Sequence, residues 1–246
     1  MLDFNHVAPI VRTDVPTTED FDKAAAAIQR TSTKRDYLGG SRLGEECARK
    51  LQYEYKGETP NRTHKASTRA IFAFGHAGET AVAELLQGMG FDLRTEKADG
   101  QQFGFATAGG RIRGHIDGVL CGGPDRFGPY PRLWENKWVG AKYWQAIVKR
   151  GVTSERPVYA AQVAIYQAYM GLTDQPALFT TGNRDSGEIH AEWLPFNARL
   201  AQQASDRGVA VIQATDAGET LPRGYGDPES FGCRFCDFRE TCWKGA

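Results

Sequence analysis

The stretch Leu133-Trp134-Glu135-Asn136-Lys137-Trp138-Val139, read with Gly114-His115-Ile116-Asp117-Gly118 upstream, decides how this chain folds. Residues i and i+2 of a strand point to the same side, so Glu135 and Lys137 look into one space. Trp134 and Trp138 bracket them, which is unusually apolar for a strand facing solvent. Asp117 lies eighteen positions before Glu135 and closes an alternating run that begins at Arg111. A hairpin between the two strands would bring all three side chains together. Gly114 and Gly118 flank the aspartate and suit close approach of backbone or ligand.

Two carboxylates and an amine in one place match what phosphodiester hydrolysis requires. A hard divalent cation must polarise the phosphoryl oxygen, and a water must become nucleophilic. Asp117 and Glu135 suit Mg2+ or Mn2+, which take oxygen ligands, and the Asn136 carbonyl is a further candidate. Lys137 can orient the water or steady charge on the phosphate. Taken alone, an Asp followed by Glu-x-Lys reads as ordinary strand charges. Two further patterns fall in order around it. Gly75 and Glu79 lie on a helix upstream. Gln162 and Tyr166 share one face of a helix downstream, with Gln162 able to hydrogen-bond phosphate or position the lysine.

The periodicity outward from this centre predicts the rest. Thr17 to Asp20 caps a helix through Ala24–Ile28, after an irregular stretch over residues 1–16. Arg42 to Tyr55 forms a second helix, with Leu43, Cys47 and Leu51 in step. Ser67 to Met89 forms a third, with Ile71, Phe74, Val82, Leu85, Leu86 and Met89 on one stripe. Strands follow at Phe91–Arg94, Gln102–Thr107 and Arg111–Leu120, with a hairpin turn at Gly109-Gly110. A loop from Cys121 leads to the Leu133–Val139 strand. Then come helices over Ala141–Arg150 and Pro157–Met170, strands over Ala177–Thr181 and Glu188–Leu194, and a helix over residues 197–214. This order predicts an α/β fold with a mixed central sheet flanked by helices, a helical N-terminal part and a cysteine-bearing C-terminal tail. No linker divides the chain, so residues 1–246 are expected as one domain with a catalytic core over 67–195.

Composition is that of a soluble globular protein, 41% hydrophobic and 24% charged. There is no apolar run long enough to span a membrane and no basic-then-apolar leader, so a cytoplasmic protein with no membrane partner is expected. Net charge is zero, but residues 101–150 carry eight Lys and Arg against three acids. A basic stretch around an acidic pocket suits a phosphodiester substrate, although charge alone reads equally as a solvated face.

Together these motifs resemble the RecB-like branch of the PD-(D/E)XK nuclease superfamily, over about Cys47 to Cys242. Gly75 and Glu79 match its first motif, Gly114 to Gly118 its aspartate motif, Glu135-Asn136-Lys137 its E-x-K, and Gln162 with Tyr166 its Q-x-x-x-Y. The resemblance implies a restriction-endonuclease-like core. It also implies that Asp117, Glu135 and the Asn136 carbonyl bind Mg2+ or Mn2+, that Lys137 is catalytic, and that Gln162 and Tyr166 assist. Glu79 stands where many members carry a metal-binding histidine and others a glutamate. His76 and His115 occupy neither position and read as structural.

Cys233, Cys236 and Cys242 form a C-x2-C-x5-C run near the end of the chain, a spacing suited to metal, and Cys47 is the candidate fourth ligand. The iron–sulfur nucleases of this branch, including those of CRISPR adaptation and the AddB nuclease, are similar in having one cysteine ahead of the core and three after it. That resemblance implies a 4Fe-4S cluster on four thiolates, with residues 40–56 and 230–246 clamped together as a brace. By spacing alone, zinc on the same four cysteines or free buried thiols remain open. Cys121 reads as a small buried residue.

Basic residues interleaved with aromatics suit single strands, because bases stack on rings while charges follow the backbone. Arg69 ahead of the Glu79 helix, and Lys142 with Trp144 after the E-x-K strand, are the candidate DNA contacts; core packing is the rival reading for Trp144. No P-loop occurs. The expected function is a metal-dependent DNA exonuclease acting on single strands or free ends, in recombination, repair, phage replication or CRISPR adaptation, with partner proteins of those processes. The rivals are a non-catalytic DNA-end-binding subunit of the same fold and a zinc-dependent DNA-binding protein.

Overall fold

The computed structural model describes residues 15–31 and 35–244. Nearly all of the expected irregular stretch over residues 1–16 lies outside them. Helix α1 (Thr18–Thr31) opens with a reciprocal cap: Asp20 Oδ2 accepts from Thr17 N at 2.9 Å, and Thr17 Oγ1 accepts from Asp20 N at 3.3 Å. Then come β1 (Leu38–Gly39), α2 (Ala48–Tyr55) and the long α3 (Ala66–Gly88). Strands β2 (Asp92–Arg94), β3 (Gly104–Thr107), β4 (Ile112–His115), β5 (Gly118–Gly122) and β6 (Arg132–Val139) follow. After them run α4 (Ala141–Arg150), α5 (Val152–Glu155) and α6 (Pro157–Met170), then β7 (Ala177–Asn183), β8 (Ile189–Leu194) and α7 (Ala198–Asp216). The short α8 (Phe231–Arg234) and α9 (Arg239–Trp243) end the described chain.

Two sheets organise these elements. The larger runs β2-β5-β6-β7-β8 and the smaller β1-β4-β3. Strands β6 and β7 pair in parallel because α4, α5 and α6 make the long crossover that parallel pairing needs. The other pairs in the large sheet are antiparallel, so the sheet is mixed. Alternation along β6 sends Leu133 and Val139 into one core with α6 and α7, while Trp134 packs in a second core under α3 with Val82, Leu86 and Leu178. Helices therefore cover both faces. Helix α6 is set by its ends: Pro157 opens it, and Gly171, at φ 68°, closes it in the left-handed conformation.

Four expectations need correction. The helix expected from Arg42 begins at Ala48, with Cys47 at its N-cap and only a 3-10 turn over Gly40–Arg42. Gly44 sits against α6, where a Cβ would lie 2.8 Å from Ala161 and 2.9 Å from the Val158 backbone. The strand expected over Arg111–Leu120 breaks: β4 belongs to the small sheet, β5 to the large one, and Asp117 lies at the crossing. Strand β5 runs on through Cys121, which was expected to open a loop. Finally, the α3 stripe is only half used. Val82 and Leu86 are buried, but Ile71 and Phe74 are exposed in the N-terminal half, and Leu85 and Met89 are exposed beside the buried pair.

Helix α2 is tied to the segment after α7 by one buried amide. Gln52 Nε2 donates to Glu219 O at 2.8 Å and Thr215 Oγ1 at 3.3 Å, and its Oε1 accepts from Leu221 N at 2.9 Å. Gln52→Leu leaves the Leu221 N–H and the Glu219 carbonyl without this partner. It should cost about 2–4 kcal/mol in a urea unfolding titration, from the penalty of unpaired buried groups.

Candidate active site

Asp117, Glu135 and Lys137 converge. In the β5–β6 hairpin Gly118 pairs with Trp134, which sets Asp117 beside Glu135. Asp117 Oδ2 accepts from the Asn136 backbone N–H at 2.7 Å. The Lys137 ammonium contacts Glu135 Oε1, lies 3.0 Å from the Asn136 carbonyl oxygen, and stands 4.0 Å from Asp117 Oδ2. It thus touches or approaches three of the four groups expected to hold a cation, Glu79 being the fourth. The Gln162 amide of α6 also donates to Glu135 Oε1. Tyr166, one turn further along α6, lines the same pocket as Asp117, Glu135, Lys137 and Gln162.

The glycines around Asp117 are steric requirements. A Cβ on Gly114 would lie 2.5 Å from the Phe105 ring and 2.8 Å from the Tyr166 ring. One on Gly118 would lie 2.7 Å from Leu93 and 3.1 Å from Trp134. The first motif differs from expectation in this respect. Gly75 faces open space, whereas a Cβ on Gly78 would lie 2.3 Å from the Trp138 indole. Gly182 on β7 meets the other side of that ring, 2.4 Å away from a Cβ. Trp138 is thus slotted between two glycines, docking α3 and its Glu79 onto the sheet. Thr180 completes the support: its Oγ1 donates to Asn136 Oδ1 at 2.9 Å and accepts from Trp134 Nε1 at 3.0 Å. The sequence marks Trp138 only as an apolar flank of the motif; its docking role, and Gly78, Thr180 and Gly182 with it, are hidden there, because only the paired strands and the docked helix bring them together.

The electrostatics follow from burial. Glu135 is 1% exposed; burial first, then the neighbouring Asp117 carboxylate, push its carboxyl up to about 8 against the pull of Lys137. Burial and then Asp117 push Glu79 up to about 7. Burial opposes the charge on Lys137, but Glu135 and Asp117 outweigh it and hold the ammonium well above the usual lysine range. Tyr166 is held above the usual phenol range, by burial first and then by Glu135. Glu135 Oε2 is buried and has no hydrogen-bond partner.

That orphaned oxygen, with two further carboxyls and a backbone carbonyl nearby, is a donor set suited to a hard divalent cation. As the side chains stand, no three acidic, histidine or cysteine groups among the described residues are arranged to hold a metal ion. Lys137 and Gln162 occupy Glu135 Oε1, and the Asn136 N–H occupies Asp117 Oδ2.

The cysteines also gather. Cys47, Cys233, Cys236 and Cys242 line one small pocket, all as free thiols, while Cys121 lies away on β5. The Phe238 N–H donates to Cys236 Sγ at 3.5 Å, and Arg49 Nη1 lies 3.9 Å from Cys242 Sγ. Gly224 closes on Cys47, where a Cβ would lie 3.1 Å from the sulfur. Asn61 N donates to Asp237 O at 2.6 Å, and Arg223 Nη2 to Cys242 O at 2.9 Å, tying this tail to the earlier part of the chain. Four thiols on one pocket fit a tetrathiolate metal group by donor chemistry, but no three are drawn together here.

The expected DNA contacts are spread out. Arg69 is exposed near the start of α3 and Lys142 in the first turn of α4. Trp144 is half-buried, and its indole donates to Thr181 O at 3.0 Å, so it fastens α4 to β7. His76 lies 3.9 Å from Glu79 Oε2 on exposed surface, and His115 lies on the pocket rim. No helix among the described residues is long and apolar enough to cross a membrane.

No protein family matches the sequence, and no curated protein does. Solved structures do. The alkaline exonuclease LHK-Exo from Laribacter hongkongensis superposes with a TM-score of 0.53 at 15% identity, covering 82% of this chain and 94% of that one. LHK-Exo in complex with dAMP gives the same values. SSO0001 aligns with a TM-score of 0.47 at 16% identity, over 90% of this chain and 93% of that one. The α/β fold, with helices on both sides of a mixed sheet and a helical N-terminal part, is therefore similar to that of an alkaline exonuclease.

Proposed function

We propose that this chain is a metal-dependent deoxyribonuclease of the PD-(D/E)XK type, hydrolysing phosphodiester bonds at DNA ends. The observation that carries the reading is the meeting of Asp117, Glu135 and Lys137 in one pocket, where a Glu135 oxygen is buried without a partner. The fold likeness to an alkaline exonuclease adds to it. Asp117, Glu135 and the Asn136 carbonyl would hold Mg2+ or Mn2+, with Glu79 facing the same carboxyls from α3. The cation, when bound, supplies Lewis-acid polarisation of the phosphoryl oxygen and a more acidic water. Lys137, freed from Glu135, donates toward the attacking water and the phosphate oxygens. Gln162 holds the Glu135 carboxylate in place, and Tyr166 walls the pocket beside it. DNA is the substrate, and proteins of recombination or CRISPR adaptation are the class of partner.

End-labelled single- and double-stranded DNA should be shortened with Mg2+ or Mn2+ present, and left intact after chelation with EDTA. Intact DNA under every metal condition would instead favour a DNA-end-binding subunit of this fold.

Cys47, Cys233, Cys236 and Cys242 would hold a 4Fe-4S cluster, bracing residues 40–56 against 230–246 within one domain. Protein purified anaerobically should be brown, with broad absorbance near about 400 nm and iron and sulfide in the metal analysis. Colourless protein with stoichiometric zinc would replace the cluster by a zinc site on the same four thiolates.

A further inference from the structure

The rim of the acidic pocket carries positive charge that the chemistry above leaves unused. Arg113 lies on β4, opposite Gly39 of β1, and its guanidinium carbon is 4.9 Å from the centroid of the Tyr37 ring. The Arg35 guanidinium carbon is 5.8 Å from the same centroid. All three residues line the pocket that holds Asp117, Glu135 and Lys137. Arg113 Nε donates to Gly110 O at 2.8 Å, which anchors the base of the fork. Both arginines are exposed, and neither has a carboxylate within ion-pairing distance among the described residues.

Two like charges drawn to one ring repel each other, and exposed cation–π contacts return only about 0.5–1 kcal/mol each. An anion between them removes the repulsion, and a guanidinium fork matches phosphate oxygens in pairs. We propose that Arg35 and Arg113, propped on Tyr37, form a phosphate clamp that grips the DNA strand beside the acidic pocket. The proposal rests on the nuclease reading of the acidic pocket and deepens it: the clamp sets where the strand lies while the carboxylates cut. The phosphate is either an internal diester or a terminal monoester, both of which present a pair of non-bridging oxygens to a guanidinium fork.

The test is fluorescence anisotropy of a labelled single-stranded oligonucleotide, with Ca2+ in place of Mg2+, over a salt series. It compares the wild-type chain, R35A/R113A and R35K/R113K. Thermal unfolding of each variant checks that these exposed substitutions leave the fold intact. R35A/R113A should bind roughly 10–100-fold more weakly, and its log–log salt slope should be shallower by about 1.4, from two lost contacts at about 0.7 each. R35K/R113K should keep the wild-type slope while losing part of the affinity, because lysine retains the charge without the fork. Oligonucleotides with and without a terminal phosphate separate the two sources. Loss confined to the phosphorylated strand assigns the clamp to an end, and equal loss assigns it to an internal diester. Wild-type affinity and slope in R35A/R113A, with wild-type protein that binds and cuts DNA, would overturn the clamp alone. Wild-type protein that neither binds nor cuts would overturn the clamp and the nuclease reading together.

Discussion

Lys137→Ala should reduce DNA cleavage by roughly 10²–10⁴-fold, the range for losing a positioned donor or transition-state cation. The expectation comes from its place among the oxygens. The ammonium contacts Glu135 Oε1 and lies 3.0 Å from the Asn136 carbonyl, beside any phosphate held by these groups. Folding should be nearly intact. Removing the amine exposes Glu135 more fully to its own burial and to Asp117, and the carboxyl answers by keeping its proton. No charge is then left stranded in the core. The check is single-turnover cleavage of end-labelled DNA alongside circular dichroism. Substantial cleavage by a well-folded Lys137→Ala chain would remove the lysine from the chemistry.

Gly78→Val should have the larger effect on the scaffold. The Trp138 indole fills the space where a Gly78 Cβ would stand, and Gly182 of β7 closes on it from the other side. The ring cannot retreat from one glycine without striking the other. The cost expected is about 1–3 kcal/mol from overpacking. A functional consequence travels with it, since Glu79 follows Gly78 on α3 and faces the Asp117 and Lys137 charges. Displacing the helix should weaken Mn2+ binding by roughly 10–100-fold, the usual scale for a disturbed supporting shell. Gly75→Ala is the matched control. Gly75 has open space on the same helix, and alanine is the better helix former by about 1 kcal/mol, so this change should be neutral or slightly stabilising. A Gly75→Ala chain less stable than Gly78→Val would contradict the docking argument.

Much of this architecture was legible because it is periodic. Helix α6 is announced by Pro157, Gly171 and the spacing between, and β6 by its alternation, so Glu135 and Lys137 could be assigned to one face. The Gly109-Gly110 turn was legible for a chemical reason: Gly109, at φ 66°, and Gly110, at φ 84°, adopt backbone that other residues avoid. What stayed hidden is non-local. Nothing in the Arg111–Leu120 alternation tells that β4 and β5 belong to different sheets. Nothing near Ile71 or Phe74 tells that they are left exposed. The Trp138 slot needs three distant segments. Arg113 stood two positions before His115 and four before Asp117, a strand spacing that could have marked it as a neighbour of the pocket. Its partners Arg35 and Tyr37 gave no such signal.

Asp117 and Glu135 are expected to share one divalent cation beside Lys137. The most direct measurement is anomalous diffraction from crystals of this chain soaked in Mn2+. One strong peak is expected within about 2.0–2.2 Å of oxygens from both Asp117 and Glu135, with the Lys137 ammonium moved off Glu135. A peak elsewhere, or an empty pocket with Lys137 still bound to Glu135 at saturating Mn2+, would contradict it.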